Sequence, residues 1–206
     1  MSFSTYAGLK TALSSWLDIT ASDISTVVDD VIAAGESRIA REVITKDMEA
    51  SLNTSTVAGV AAAPTDYKAL KFAYIATSPI TKIERRSAEW IYENYPDRSV
   101  TSITPGGKVF MGREGSNFIF GPYIGNGITI SGVYYKNLPQ IQGALNNLFL
   151  NNTDLYLFAC LAETDLVIGR DPRVPIWEAK YQRILADVNM LATQEENSGS
   201  ILEVRN

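Results

Sequence analysis

Apolar residues recur at three- and four-residue steps near both ends of the chain and at shorter, alternating intervals in its middle. The sequence therefore predicts helices flanking a β-rich stretch. Phe3, Tyr6, Leu9, Leu13, Trp16 and Leu17 share one face of a first helix, and residues 18–21 break the pattern. Ser22 is suited to cap a second helix, with the stripe Ile24, Val27, Val28, Val31, Ile32, Ile39 and Val43. Its opposite side carries Asp29, Asp30, Glu36, Arg41 and Glu42, a solvated face or a set of i,i+4 pairs worth about 0.2–0.5 kcal/mol each.

After residue 50 the period shortens. Residues 51–60 alternate loosely, as an edge strand does, and residues 61–64 form a connection. Strands are expected at residues 67–77 and 80–84, separated by the turn signal Ser78-Pro79. Ser87 can cap a short helix through Trp90 and Ile91 that ends by Pro96. Three further strands, 109–111, 118–120 and 128–135, are punctuated by glycine turns and read as a β-meander. The glycines of residues 121–127 lack phosphate-loop spacing and precede a strand, so they read as a hairpin turn.

Residues 153–169 are apolar on nearly all sides, the signature of a helix sandwiched by neighbours. A proline-rich corner follows, and Pro175 suits the first turn of a last helix with the stripe Trp177, Tyr181, Ile184, Leu185, Val188 and Leu191. The expected fold is α+β: an antiparallel helical bundle, built from N- and C-terminal helix pairs, with an inserted β-rich module. Residues 1–50 and 150–193 make the helical core, residues 51–149 the insertion, and residues 194–206 a flexible tail. That tail ends in the apolar run Ile201, Leu202 and Val204, suited to docking on a partner.

Composition narrows the chemistry. Histidine is absent and Cys160 is the single cysteine among 206 residues. Ser-His and Cys-His catalysis, the usual zinc sites and a disulfide within the chain are excluded, and no cofactor is implied. Cys160 lies in an apolar run and reads as a small buried hydrophobe. The start of the chain does not read as a signal peptide, and the longest apolar run is too short to span a bilayer. A reducing cytoplasm is the expected place of synthesis. The net charge of −5 disfavours binding driven by counterion release from nucleic acid.

What chemistry remains rests on carboxylates. Glu36, Glu42, Glu163 and Asp165 are the candidates for a hydrolase acting on cell-wall glycan, the reading from another class. Glu163 and Asp165 stand two positions apart and point to different sides of a helix. Each is expected to meet a cation, with Arg38, Arg41 and Arg170 available. Glu84-Arg85-Arg86, near Trp90, Tyr92 and Tyr95, could bind nucleic acid, but in so acidic a chain a solvated charge pair at a loop–helix junction is more ordinary.

Four stretches resemble the head-to-tail adaptor (connector) proteins of tailed bacteriophages, of the short-tailed phage and tail-tubular-protein-A type. Ala34-Gly35-Glu36-Ser37-Arg38-Ile39-Ala40-Arg41-Glu42 stands where the family has an "aE-x-R-I-x-R-e" run. Ala63-Pro64-Thr65-Asp66-Tyr67 is similar to its "LP-x-D-Y" step, with Ala63 for the leucine. Val133-Tyr134-Tyr135-Lys136-Asn137-Leu138-Pro139 is similar to its "Y-Y-x-x-I/L-P" strand end. Residues 154–163 with Trp177, Glu178 and Tyr181 resemble its "P-D-L-Y-L-Y-A-x-L-x-E-A … W-E-x-x-Y" ending, although Asn152-Thr153 departs from the Tyr-Pro often found there.

The resemblance implies a structural virion protein at the head–tail junction, assembled in the host bacterial cytoplasm. It would form a dodecameric homo-oligomeric ring beneath the portal protein, with tail or nozzle proteins below. DNA would cross the lumen without sequence-specific binding. Ile201, Leu202 and Val204 would reach the portal, while Leu155, Phe158, Leu161, Glu163, Asp165, Arg38 and Arg41 would lie at subunit interfaces. Another tail-completion or baseplate subunit is the neighbouring reading.

Overall fold

The computed structural model describes residues 3–18, 24–99, 101, 104–166 and 171–197. The chain divides into two compact units, Met1–Met48 with Leu138–Asn206, and Glu49–Asn137.

The first unit is helical. Thr5 caps α1 (Tyr6–Leu17) by accepting from the Gly8 N–H at 3.1 Å, and Asp18, at φ 54°, ends it in the left-handed conformation. α2 spans Ile24–Glu42, so the Ser22 cap lies outside the described residues. Two short helices follow in the C-terminal part, α4 (Asn147–Asn151) and α5 (Thr153–Ala162), and then the long α6 (Val174–Asn197). (α3 belongs to the other unit.) α4 has its own cap, Asn146 Oδ1 accepting from the Phe149 N–H at 2.8 Å.

The expected long helix of residues 153–169 stops at Ala162. Thr164 Oγ1 donates back to the Leu161 carbonyl at 2.7 Å, and the chain tightens into a 3₁₀ turn at Thr164–Leu166. α5 packs against α1, α2, α4 and α6, so its apolar surface is covered on nearly every side. Gly35 makes the closest approach: a Cβ there would stand 2.9 Å from Cys160 Sγ and 3.0 Å from the Cys160 backbone N. α6 continues helical through residues 194–197, which sequence assigned to the tail.

The second unit holds β1 (Glu49–Ser55), β2 (Val60–Ala62), β3 (Tyr67–Ile75), β4 (Thr81–Arg85), α3 (Ala88–Asn94), β5 (Val109–Glu114), β6 (Asn117–Gly121) and β7 (Thr129–Lys136). They form one sheet in the order β1-β7-β3-β4-β5-β6-β2, antiparallel except for β4 beside β5. The parallel pair is joined through α3, whose N-cap is Ser87, with Oγ accepting from the Trp90 N–H at 3.2 Å. β1 and β2 are opposite edges, yet Thr54 Oγ1 donates to the Ala62 carbonyl at 3.1 Å, so the sheet curls until its edges meet.

The apolar runs now separate by face. Val109, Met111, Phe118 and Phe120 point into the barrel-like core with Leu70, Ile83, Ile130 and Tyr134. Phe110 and Ile119 point the other way and are covered by Ile91, Trp90 and Tyr95 of the α3 segment. Both faces are buried, which explains unbroken apolar runs where a one-sided sheet would alternate.

This architecture corrects the expected fold class. The chain is not an antiparallel helical bundle with an inserted β module. Among the described residues it is α+β, with six helices and a nearly closed seven-stranded sheet. The sheet closes around a core of its own, and the helical unit is organised around one short central helix instead of two antiparallel pairs. The meander is corrected as well. β6 and β7 are not neighbours, because β7 runs between β1 and β3, with Glu49 opposite Tyr135 at the entry and exit of the unit. Residues 122–128 are therefore a crossover and not a hairpin turn. Ile124 anchors it, fully buried in the barrel core, and the Gly127 N–H donates to the Thr56 carbonyl at 2.8 Å.

β3 bulges between Leu70 and Phe72, bringing its backbone against β7. A Cβ at Gly132 would lie 2.2 Å from the Phe72 carbonyl oxygen and 2.8 Å from Ala73 Cα, both backbone atoms. Gly132→Ala is expected to cost about 2–4 kcal/mol in urea denaturation. Gly143→Ala, whose nearest contact would be 3.8 Å away, is the control and should shift stability little.

Candidate functional site

The residues that carry the family resemblance converge in space. In the helical unit they meet at Arg38. This side chain leaves α2 toward α6, where Glu178 and Tyr181 share a face through their i,i+3 spacing. Nη1 and Nη2 donate to the two Glu178 carboxylate oxygens at 2.7 and 2.6 Å, a bidentate pair. Nη1 also reaches Glu163 Oε1 at 3.1 Å, and Nε reaches Glu42 Oε1 at 3.3 Å. The guanidinium lies 4.3 Å from the centre of the fully buried Tyr181 ring, whose hydroxyl donates to Glu42 Oε2 at 2.7 Å.

One cation thus serves three carboxylates from α2, α6 and the C-cap of α5. The hydrogen-bonded guanidinium holds the Glu178 carboxyl below the usual carboxylate range, and that carboxylate in turn raises Arg38. Burial, reinforced by Glu42, pushes the Tyr181 phenol up. Because the Glu178 shift is downward, the stabilisation it brings is present above its unfolded value and is lost as pH falls through the lowered one.

Glu36, two residues earlier on α2, serves a different segment. Its Oε1 accepts from the Ile141 N–H at 2.8 Å, tying down the chain just after Leu138-Pro139. It borders a cavity of about 140 Å³ with Ile39, Met48, Pro139, Leu148 and Tyr156. Burial raises its carboxyl pKa, and the backbone hydrogen bond opposes this.

In the β unit the second and third motifs meet. Tyr134 donates from its hydroxyl to Asp66 Oδ1 at 2.8 Å, and the Tyr67 and Tyr134 rings stack at 5.8 Å. The Asn137 N–H donates to the Asp66 carbonyl at 2.6 Å. Burial and Asp66 push the Tyr134 phenol up to about 12.

The residues expected at subunit interfaces fall into distinct groups. Leu155 and Leu161 are fully buried within the single chain and have no surface to offer a neighbour. Phe158 is half-buried, edge-on to Trp16 at 5.9 Å and under the Lys180 ammonium at 5.1 Å. Arg38 and Glu163 pair with each other, while Arg41 and Asp165 are exposed. Arg170, Ile201, Leu202 and Val204 lie outside the described residues. Of the four carboxylates weighed for hydrolysis, Glu42 and Glu163 are held by Arg38, Glu36 by a backbone N–H, and Asp165 faces solvent on a 3₁₀ turn.

Cys160 is fully buried and its thiol is pushed up by desolvation. Among the described residues no three His, Cys, Asp or Glu are grouped to hold a metal ion, and no helix is long and apolar enough to cross a membrane. Apolar side chains left in solvent include Ile176, Met190 and Leu191 on α6, the last expected on its buried stripe but 57% exposed. The three-residue offset of Glu178 from Tyr181 is the sequence signal for its place beside Arg38.

Arg38→Ala should cost about 3 kcal/mol, because it leaves carboxylates without their counterion. Arg38→Lys should recover only part, since an ammonium cannot make the bidentate pair. Urea midpoints near neutral pH read both. Glu36 behaves oppositely. Its folded pKa lies above the unfolded one, so its contribution is greatest below the unfolded value and falls as pH rises through the folded value. Glu36→Gln keeps an oxygen for Ile141 and should equal or exceed wild-type stability near neutral pH, the two converging below about pH 4. A lower neutral midpoint for this variant would contradict the assignment.

A family model for the SU10 adaptor protein matches residues 4–205, nearly all of the 206 residues. No curated protein matches. The matched span takes in all four motifs, including the Arg38 and Asp66–Tyr134 clusters. The chain belongs to the SU10 adaptor protein family and is a structural adaptor of phage particles.

Proposed function

We propose that this adaptor assembles into a closed ring, dodecameric by resemblance, that joins the portal protein at the capsid vertex to the tail. DNA crosses the lumen without sequence-specific contact. The reading is carried by the family match over residues 4–205, with the resemblance of its motifs to head-to-tail connectors. Two features of the surface support it. α6 leaves Ile176, Met190 and Leu191 in solvent, apolar area that a neighbouring subunit or a tail protein can cover. The net charge of −5 suits a conduit through which a polyanion slides without sticking.

In such a ring, neighbours meet through two different surfaces, a heterologous contact that closes by rotation. Arg41 and Asp165 are the interface candidates exposed enough to take part. Attachment to the portal is assigned to Ile201, Leu202 and Val204, which follow a Gly/Ser-containing link at residues 198–200.

Purified protein mixed with portal particles and, separately, with tail protein is expected to form rings on the portal in negative-stain images. Binding to tail protein alone would favour a tail-completion subunit instead. Deleting residues 198–206 should abolish portal attachment while leaving the circular dichroism spectrum unchanged. Normal attachment of the truncated chain would refute the role of the tail.

A further inference from the structure

The two units differ sharply in charge. Residues 49–137 carry nine Lys and Arg against seven Asp and Glu, a net +2. The rest of the chain carries nine against sixteen, a net −7, and together these give the −5 of the whole. Four of the nine cations of the basic unit gather at one place. Arg85 from the end of β4, Arg86 beside it, Arg113 from β5 and Lys68 from β3 line a cavity of about 330 Å³ floored by Tyr67 and Phe118.

Little within the chain neutralises these arginines. Arg85 has no ion pair among the described residues. Arg113 donates from Nε to the Gly115 carbonyl at 3.0 Å and lies 5.0 Å over the Tyr67 ring, contacts that leave its charge in place. Arg86 reaches Glu84 at 3.5 Å, an exposed and long contact. Burial raises the Tyr67 phenol while Arg85 and Arg113 pull it down, as two cations beside the same ring would. Planar guanidiniums around one cavity suit an oxyanion that each can hold with paired N–H donors.

We propose that this arginine pocket receives carboxylates from the helical unit of a second copy of the chain. The proposal rests on the ring reading above and names the contact by which copies recognise one another. Charge complementarity selects the occupant. The net −7 unit exposes Asp30, Asp154, Asp165 and Asp187, none of them in an ion pair among the described residues. A head-to-tail contact needs two unlike surfaces on every subunit, and a basic cavity on one unit with an acidic surplus on the other supplies them. A phosphodiester backbone shares the oxyanion chemistry, but the acidic balance of the whole chain disfavours it.

The test uses the full chain with portal particles, scored by sedimentation velocity and negative-stain imaging. Arg85→Glu, and Arg85→Gln with Arg113→Gln as a milder pair, should weaken ring formation at least tenfold while keeping the wild-type thermal midpoint. Wild-type rings should loosen as salt rises. Asp→Asn changes at Asp30, Asp154, Asp165 and Asp187 should give the same loss from the other side. Rings that form normally in the arginine variants would overturn the proposal. So would rings that form normally while binding of a labelled DNA duplex, read by fluorescence anisotropy, is lost, which would make the pocket a phosphate site. A wild-type chain that stays single on the portal would defeat the ring reading itself, and this proposal with it.

Discussion

A single guanidinium sets the geometry of the helical unit. Arg38 is the cation on which carboxylates from α2, the α5 cap and α6 converge, and it is stacked on a fully buried tyrosine. Apolar packing alone would let α6 rotate or slide along α2, since one stripe of aliphatic residues resembles another a turn away. The bidentate fork to Glu178 admits one register. The Tyr181 hydroxyl on Glu42 then fixes the rotation, so Trp177, Tyr181, Leu185 and Val188 enter the core together.

The periodicities were legible from sequence because each element buries a face. α1 and α2 follow their apolar stripes, α6 follows its own as far as Val188, and Asp18 and Ser87 act at the boundaries where their residue types point. What the linear pattern does not contain is which strand pairs with which. Val109–Met111 and Phe118–Phe120 announce strands, yet nothing local says that β5 lies parallel to β4 or that β7 returns between β1 and β3. Those partners are chosen by side chains distant in sequence, such as Ile124, which turns an apparent hairpin into a crossover by burying itself in the barrel. α5 was overestimated for a similar reason, because the hydroxyl of Thr164 ends a run that hydrophobicity alone would extend.

The interaction residues were less legible than the fold. An apolar helix looks the same in sequence whether its own chain or a neighbour covers it, and Leu155 and Leu161 turn out to be covered at home. The pairing of Arg38 with Glu163 could be anticipated from the cost of burying charge, but choosing Arg38 over other arginines needed the fold. The basic spot at Glu84-Arg85-Arg86 looked incidental against the acidic whole. It gains weight only when Arg113 and Lys68, distant along the chain, arrive beside it.

The pairing of Glu49 with Tyr135 has a mechanical consequence. The chain enters the sheet at the start of β1 and leaves it at the end of β7, and these two ends are adjacent rungs of one antiparallel ladder. A pull on the two junctions would load the Glu49–Tyr135 rung first and peel β1 from β7 one pair at a time, the way a zipper opens, and not shear all seven pairs at once. The Lys71–Glu49 ion pair at 2.6 Å, with the Lys71 ammonium 5.8 Å over the Tyr135 ring, braces that corner and ties the first rung to β3.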